Sequence, residues 1–112
     1  MPKLAARPHS RYSRNAAILL GQLIRLARIQ QKLTIEQLAE RAGLSRGLVH
    51  RIEKGDLGCA IGSVFEAAAI VGVRLFDADA AALTTAMSAN TTTLTLLPQS
   101  VRVTTKAVKD DF

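Results

Sequence analysis

Apolar residues fall at helical spacing over much of the first three quarters of the chain, and that pattern sets out the elements. Leu20, Ile24 and Ala27 stand four and three apart in a proline-free run of good helix formers, which predicts a first helix over residues 16–31. Leu19, Leu23, Leu26 and Gln30 form a second row one residue earlier, and Ile29 extends the apolar surface. A helix covering one small domain needs an apolar stripe of about 100°, so this one is wider than its own core demands. Either later segments of the chain cover the surplus, or Leu19, Leu23, Leu26 and Ile29 meet another protein.

Residues 34–54 carry the densest local signals. Thr34 and Gln37 have the spacing of a capping box, in which the hydroxyl takes one orphan backbone N–H and the amide side chain takes another. Leu38 and Ala39 supply an inward face, and Gly43 ends this second helix because it lacks the Cβ that penalises a left-handed stop. Leu44 plugs the corner and Ser45 caps a third helix. On that helix Val49 and Ile52 point inward, while Arg46, His50, Arg51 and Lys54 remain on the outer face until Gly55 closes it. A short helix, a Gly-containing turn and a second helix with a free outer face form a helix-turn-helix, whose second helix can enter a major groove.

Downstream, Val64, Ala67, Ala68 and Val71, with Phe65 as a large filler, predict a fourth helix over 61–71 stopped by Gly72. Val73-Arg74-Leu75-Phe76 alternates and reads as a short strand that would pair with its copy in a second subunit. Asp77 or Asp79 caps a last, alanine-rich helix over about 80–89. From Asn90 onward, residues 91–97 and 101–105 alternate with β-formers around Pro98 and read as strands that need a partner, because a lone hairpin is marginal.

Charge changes the picture more than composition does. Residues 1–54 hold eleven Lys or Arg against three Glu, a net of +8, whereas residues 55–112 carry four basic and six acidic residues, a net of −2. A basic half that includes the exposed third helix suits a polyanion such as nucleic acid. Residues 1–14 form a basic arm with Pro2 and Pro8, either reaching along DNA or simply solvated. Cys59 stands alone, so no internal disulfide or thiolate zinc cluster forms, and a reducing cytoplasm is expected. No apolar run has the ~18–20 residues of a membrane span. The two histidines, His9 and His50, are far apart in sequence and no phosphate-loop motif occurs, so neither an enzyme nor a metal or cofactor site is expected.

Leu33-Thr34, Leu38-Ala39, Gly43-Leu44-Ser45, Val49, Ile52, Glu53 and Gly55 together resemble the Xre or lambda-repressor-like family over about residues 17–75. The resemblance implies a mainly α fold, a four-to-five-helix DNA-binding domain over 15–89. It is joined here by short β elements near 73–76 and in a tail over 90–112. It also implies that Arg28 clamps Glu53, that Arg46, Gly47, His50 and Arg51 face bases, and that Ser45 and Lys54 hold phosphate. Thr34, Arg41 and Lys32 are the neighbours placed to share the phosphate contacts, because Ile35 stands where many members carry a phosphate-bridging Gln.

A narrower likeness joins this core to Gly-Val-Arg-Leu-Phe-Asp at 72–77, a Leu-Leu-Pro-x-x-Val-Arg stretch and the terminal Asp-Asp-Phe. These are similar to HipB-type antitoxins, which implies a homodimeric, cytoplasmic and nucleoid-associated autorepressor that binds operator DNA and restrains a HipA-type kinase toxin. The partner or dimer contacts would then include Leu19, Leu23, Leu26, Ile29, Val73, Leu75 and Phe112. The alternatives are a stand-alone Xre-type repressor, of phage or ligand-responsive kind, and a protein-interaction adaptor.

Overall fold

A computed structural model describes residues 8–101. The helices are α1 (Arg11–Gln30), α2 (Ile35–Ala42), α3 (Arg46–Glu53), α4 (Ile61–Val71) and α5 (Ala80–Leu96). They fall into two compact units that divide after Asp77, with α1–α4 in the first and α5 in the second.

In the first unit α2 packs against α3 and α4, and α1 against the same two helices. The core is Ile24, Leu33, Leu38, Ala39, Val49, Ile52, Ala67, Ala68 and Val71, one patch from each helix plus the residue that ends the α1–α2 turn. Ile24, Leu38 and Val49 are fully buried, and each contributes about 1.5–3 kcal/mol by leaving water. The small Ala39, Ala67 and Ala68 let α2 and α4 approach closely. Gln31 ties the ends of α1 and α4 together, its side-chain amide donating to the Val71 carbonyl at 2.7 Å.

The caps are local chemistry. Thr34 Oγ1 accepts from the Gln37 N–H at 3.0 Å while Gln37 Oε1 accepts from the Thr34 N–H at 2.8 Å, a complete capping box. Gly43 stops α2 at φ 69°, and Ser45 Oγ accepts from the Leu48 N–H at 3.1 Å to open α3. Ser10 opens α1 in the same way, accepting from Ser13, so α1 begins at Arg11, five residues before the sequence pattern predicts. Arg11 and Arg14 are therefore helical and not part of an extended arm.

Among the described residues the expected β elements at 73–76 and 91–97 are not present. After α4, the Val73 N–H donates back to Ala68 O at 2.9 Å and closes the helix, and Phe76 and Asp77 take positive φ values of 56° and 54°. A strand cannot run through that backbone, and only isolated bridge residues occur, at Leu75 and Ala78. Val73 and Leu75 are half-buried against the unit's own core; the strand-to-strand dimer contact assigned to them is lost.

In the second unit Asp79 caps α5 by accepting from the Ala82 N–H at 2.8 Å. The helix continues through 91–96, where the alternating threonines predict a strand, and within it Thr91 and Thr95 turn their hydroxyls onto carbonyls four residues back. Residues 102–105 of the expected strand at 101–105, and Phe112, lie outside the described residues.

Candidate nucleic-acid interface

The position of α3 is set from beneath. Arg28, on α1, donates from Nε to Glu53 Oε2 at 2.6 Å and from Nη2 to Oε1 at 3.0 Å, a two-pronged contact that matches the planar guanidinium to the carboxylate. Its remaining Nη1 donates to the Leu33 carbonyl at 2.8 Å, so one side chain fastens the last turn of α3 to both α1 and the α1–α2 turn. The two side chains are only 10 % and 4 % exposed.

Gly21 is the second device, and the pattern of apolar residues gives no sign of it. A Cβ there would lie 2.4 Å from Ile52 O and 2.9 Å from Glu53 O. Two helix backbones meet at this point, and no residue but glycine fits. Gly55, at φ 80°, repeats the device one turn earlier on α1, where a Cβ would reach within 2.8 Å of the Ile18 Cα.

With Val49, Ile52 and Glu53 buried, α3 turns Arg46, Gly47, His50 and Arg51 to solvent, followed by its C-cap Lys54. Gly47 has no heavy atom within 4 Å of a would-be Cβ, so its face is open. Ser45 and Thr34 spend their oxygens as acceptors in the caps but keep their hydroxyl protons, leaving each able to donate to a phosphate. Arg41 is exposed in the last turn of α2, and Lys32 is exposed in the α1–α2 turn at φ 59°.

Arg51 is engaged differently from Arg46. Its Nε donates to Asp56 Oδ2 at 2.8 Å, while Asp56 Oδ1 accepts from the Gly58 N–H at 2.7 Å. The Arg51 guanidinium and that backbone N–H hold the Asp56 carboxyl below its usual value, and the same hydrogen bond to Asp56 raises the Arg51 pKa. The pair is half-exposed, so water screens it and it is readily exchanged for another anion. Arg46 is thus the freer of the two for base contact.

One basic residue is missed by the sequence reading. Arg25 rims a small polar hollow of about 140 Å³ together with His50 and Lys54, floored by Arg28, Glu53 and Ile35. Its position three residues before Arg28 places it on the same side of α1, which is the signal that points to it. The row Leu19, Leu23, Leu26 and Ile29 is exposed along α1. Among the described residues no helix is long and apolar enough to cross a membrane.

Against known families, residues 19–84 match the model described as a helix-turn-helix domain, of the Xre/lambda-repressor type. No curated protein matches the chain. The matched span exceeds half of the chain and contains the whole α1–α4 core from Ile24 to Val71. The protein therefore belongs to this helix-turn-helix family, whose architecture makes it a DNA-binding regulator directed at double-stranded DNA.

Proposed function

We propose that the protein is a sequence-specific repressor that binds its operator as a homodimer in the cytoplasm, on the nucleoid. The observation that carries this reading is the outer face of α3, open at Gly47 and basic at Arg46, Arg51 and Lys54, on a helix held at a fixed angle by Arg28, Glu53 and Gly21. Arg46 reads guanine through O6 and N7, a contact worth about 1–3 kcal/mol of discrimination. Arg51 exchanges Asp56 for a base edge or phosphate, and His50 lies one turn from Arg46 along the same groove. Thr34, Ser45, Lys54, Arg41, Lys32 and Arg25 hold the sugar–phosphate backbone, which fixes register without specifying sequence. One such unit reads only a few base pairs, so a pair of units on half-sites about 34–36 Å apart supplies the specificity.

The finer reading is that this repressor is the antitoxin of a HipA-type kinase toxin. It is supported by the likeness of residues 72–77 and of the tail to HipB-type antitoxins and by the apolar row Leu19, Leu23, Leu26 and Ile29 left exposed on α1. Selection of binding sites from random duplexes tests the repressor reading: the expected product is a two-fold symmetric site with half-sites one helical turn apart. Enrichment of no sequence overturns it. Co-purification from the native operon tests the finer reading, which fails if no kinase-like protein accompanies the chain.

A further inference from the structure

The polar hollow beside α3 is built by three helices. Arg25 and Arg28 come from α1, Ile35 from α2, and His50, Glu53 and Lys54 from α3 and its cap. Its volume of about 140 Å³ is well below the ~300–1,000 Å³ of sites that enclose a small molecule. What fits is one small group, and the charges on the walls select its sign. Arg28 and Glu53 neutralise each other on the floor through hydrogen bonds of 2.6 and 3.0 Å. Arg25 and Lys54 are left over, and among the described residues neither is in an ion pair. Ile35 adds no charge, so the walls are net positive and suit an anion.

The rim also carries an imidazole, the side chain whose charge changes between about pH 5 and 8. The charged groups lining the hollow with His50 are Arg25 and Arg28 from α1 and Glu53 and Lys54 from α3; α2 offers only Ile35. An anion held between Arg25, His50 and Lys54 favours the protonated ring, because an opposite charge within ~4–6 Å stabilises the charged form. The protonated ring carries a donor on both nitrogens, so it holds the anion more strongly in return.

We propose that Arg25, His50 and Lys54 seat a single phosphate group of the bound duplex, and that His50 takes up a proton from solvent as they do so. DNA affinity is then linked to pH. The added affinity is complete where His50 carries its proton and is lost as pH rises through the titration of the bound state. The proposal rests on α3 facing DNA, and it gives His50 a backbone contact in place of the base contact expected from its position. Such a contact fixes register and carries no sequence information.

The test compares the affinity of the full chain at about pH 6 and about pH 7.5, at constant ionic strength, for a random-sequence duplex and for the selected operator. Wild type is expected to bind both duplexes about 5-fold more weakly at the higher pH, within the roughly tenfold that one such charge contact supports. His50→Gln is expected to lose the dependence, and His9→Gln, which alters the other histidine, to keep it. Arg25→Gln is expected to lower the salt slope by about 0.9 and to shrink the pH effect. Imidazole proton NMR gives a second reading: the His50 midpoint rises with the random duplex and stays in place with millimolar inorganic phosphate, which lacks the other contacts. A flat wild-type profile, or a pH effect that survives in His50→Gln, overturns the proposal. So does an effect confined to the operator, which makes His50 a base reader, or a midpoint that rises with inorganic phosphate alone. Failure to select any operator refutes the repressor reading separately, since the random-duplex measurements do not need one.

Discussion

Replacing Glu53 by Gln removes the charge that Arg28 was placed to meet and leaves the shape almost unchanged. Wild-type Arg28 makes two bonds to the carboxylate, at 2.6 and 3.0 Å, and one to Leu33 O, at 2.8 Å. In the variant one amide oxygen still accepts, but the amide nitrogen opposes a guanidinium donor, and a full positive charge remains with its side chain only 10 % exposed. Breaking a buried pair in this way costs about 3–5 kcal/mol, against at most ~1 kcal/mol for an exposed pair. A domain of this size has a total stability of about 5–15 kcal/mol, so a large part of the folded population's margin disappears. A loss of 3 kcal/mol lowers the melting temperature by about 12 °C or more. Urea unfolding followed by far-UV circular dichroism measures the loss directly. The double variant Arg28→Met with Glu53→Leu is expected to regain much of it, because neither charge is then buried alone. A Glu53→Gln protein within about 1 kcal/mol of wild type would refute the reasoning and reduce the clamp to a surface contact.

Gly47→Ala separates folding from binding: with open space around the new Cβ the free protein gains about 0.5–1 kcal/mol of helix stability, while operator affinity falls because the groove wall approaches that atom. Equal affinity for the two proteins would place Gly47 away from DNA. Gly21→Ala gains the same helix preference but drives a methyl into Ile52 O and Glu53 O. Overpacking of this kind costs about 1–3 kcal/mol, so a net fall in the urea midpoint is expected, and an increase would contradict the close crossing of α1 and α3. The Asp56 carboxyl is held low by Arg51 and Gly58, so its contribution is complete above the unfolded value of about 3.9 and disappears as pH falls through the lower folded value. A carboxyl NMR titration is expected to show that depressed midpoint and Arg51→Ala to return it upward; an ordinary midpoint in wild type would remove the ion pair.

The helix-turn-helix was legible because each of its signals is local. Thr34 with Gln37, Gly43 and Ser45 each settle one cap within four residues, and the structure brings those caps together as read. The Gly72 stop of α4 followed from the same kind of signal, and of the two caps open to the last helix, Asp77 and Asp79, it is Asp79 that accepts from Ala82. The tail misled for a physical reason. Thr91–Thr95 contains β-formers in alternation, but threonine in a helix can spend its hydroxyl on the carbonyl four residues back, and Thr91, Thr93 and Thr95 do so. Four residues at 73–76 were too few to distinguish a strand from a helix stop followed by two left-handed residues. Gly21 was not legible at all, because a glycine in mid-helix declares nothing about which backbone it lies against.

The central claim is that the open face of α3 reads bases with Arg46. Measuring operator affinity by fluorescence anisotropy, with each guanine of the selected site replaced in turn by 7-deazaguanine, tests it at a single atom, since the replacement removes only N7. The account predicts that one replacement per half-site weakens wild-type binding by about 5-fold or more, in line with ~1–3 kcal/mol for a paired contact. The same replacement leaves the already weakened Arg46→Ala protein unaffected. If Arg46→Ala binds the operator as tightly as wild type, or if both proteins respond alike to every replacement, α3 is not the reading helix.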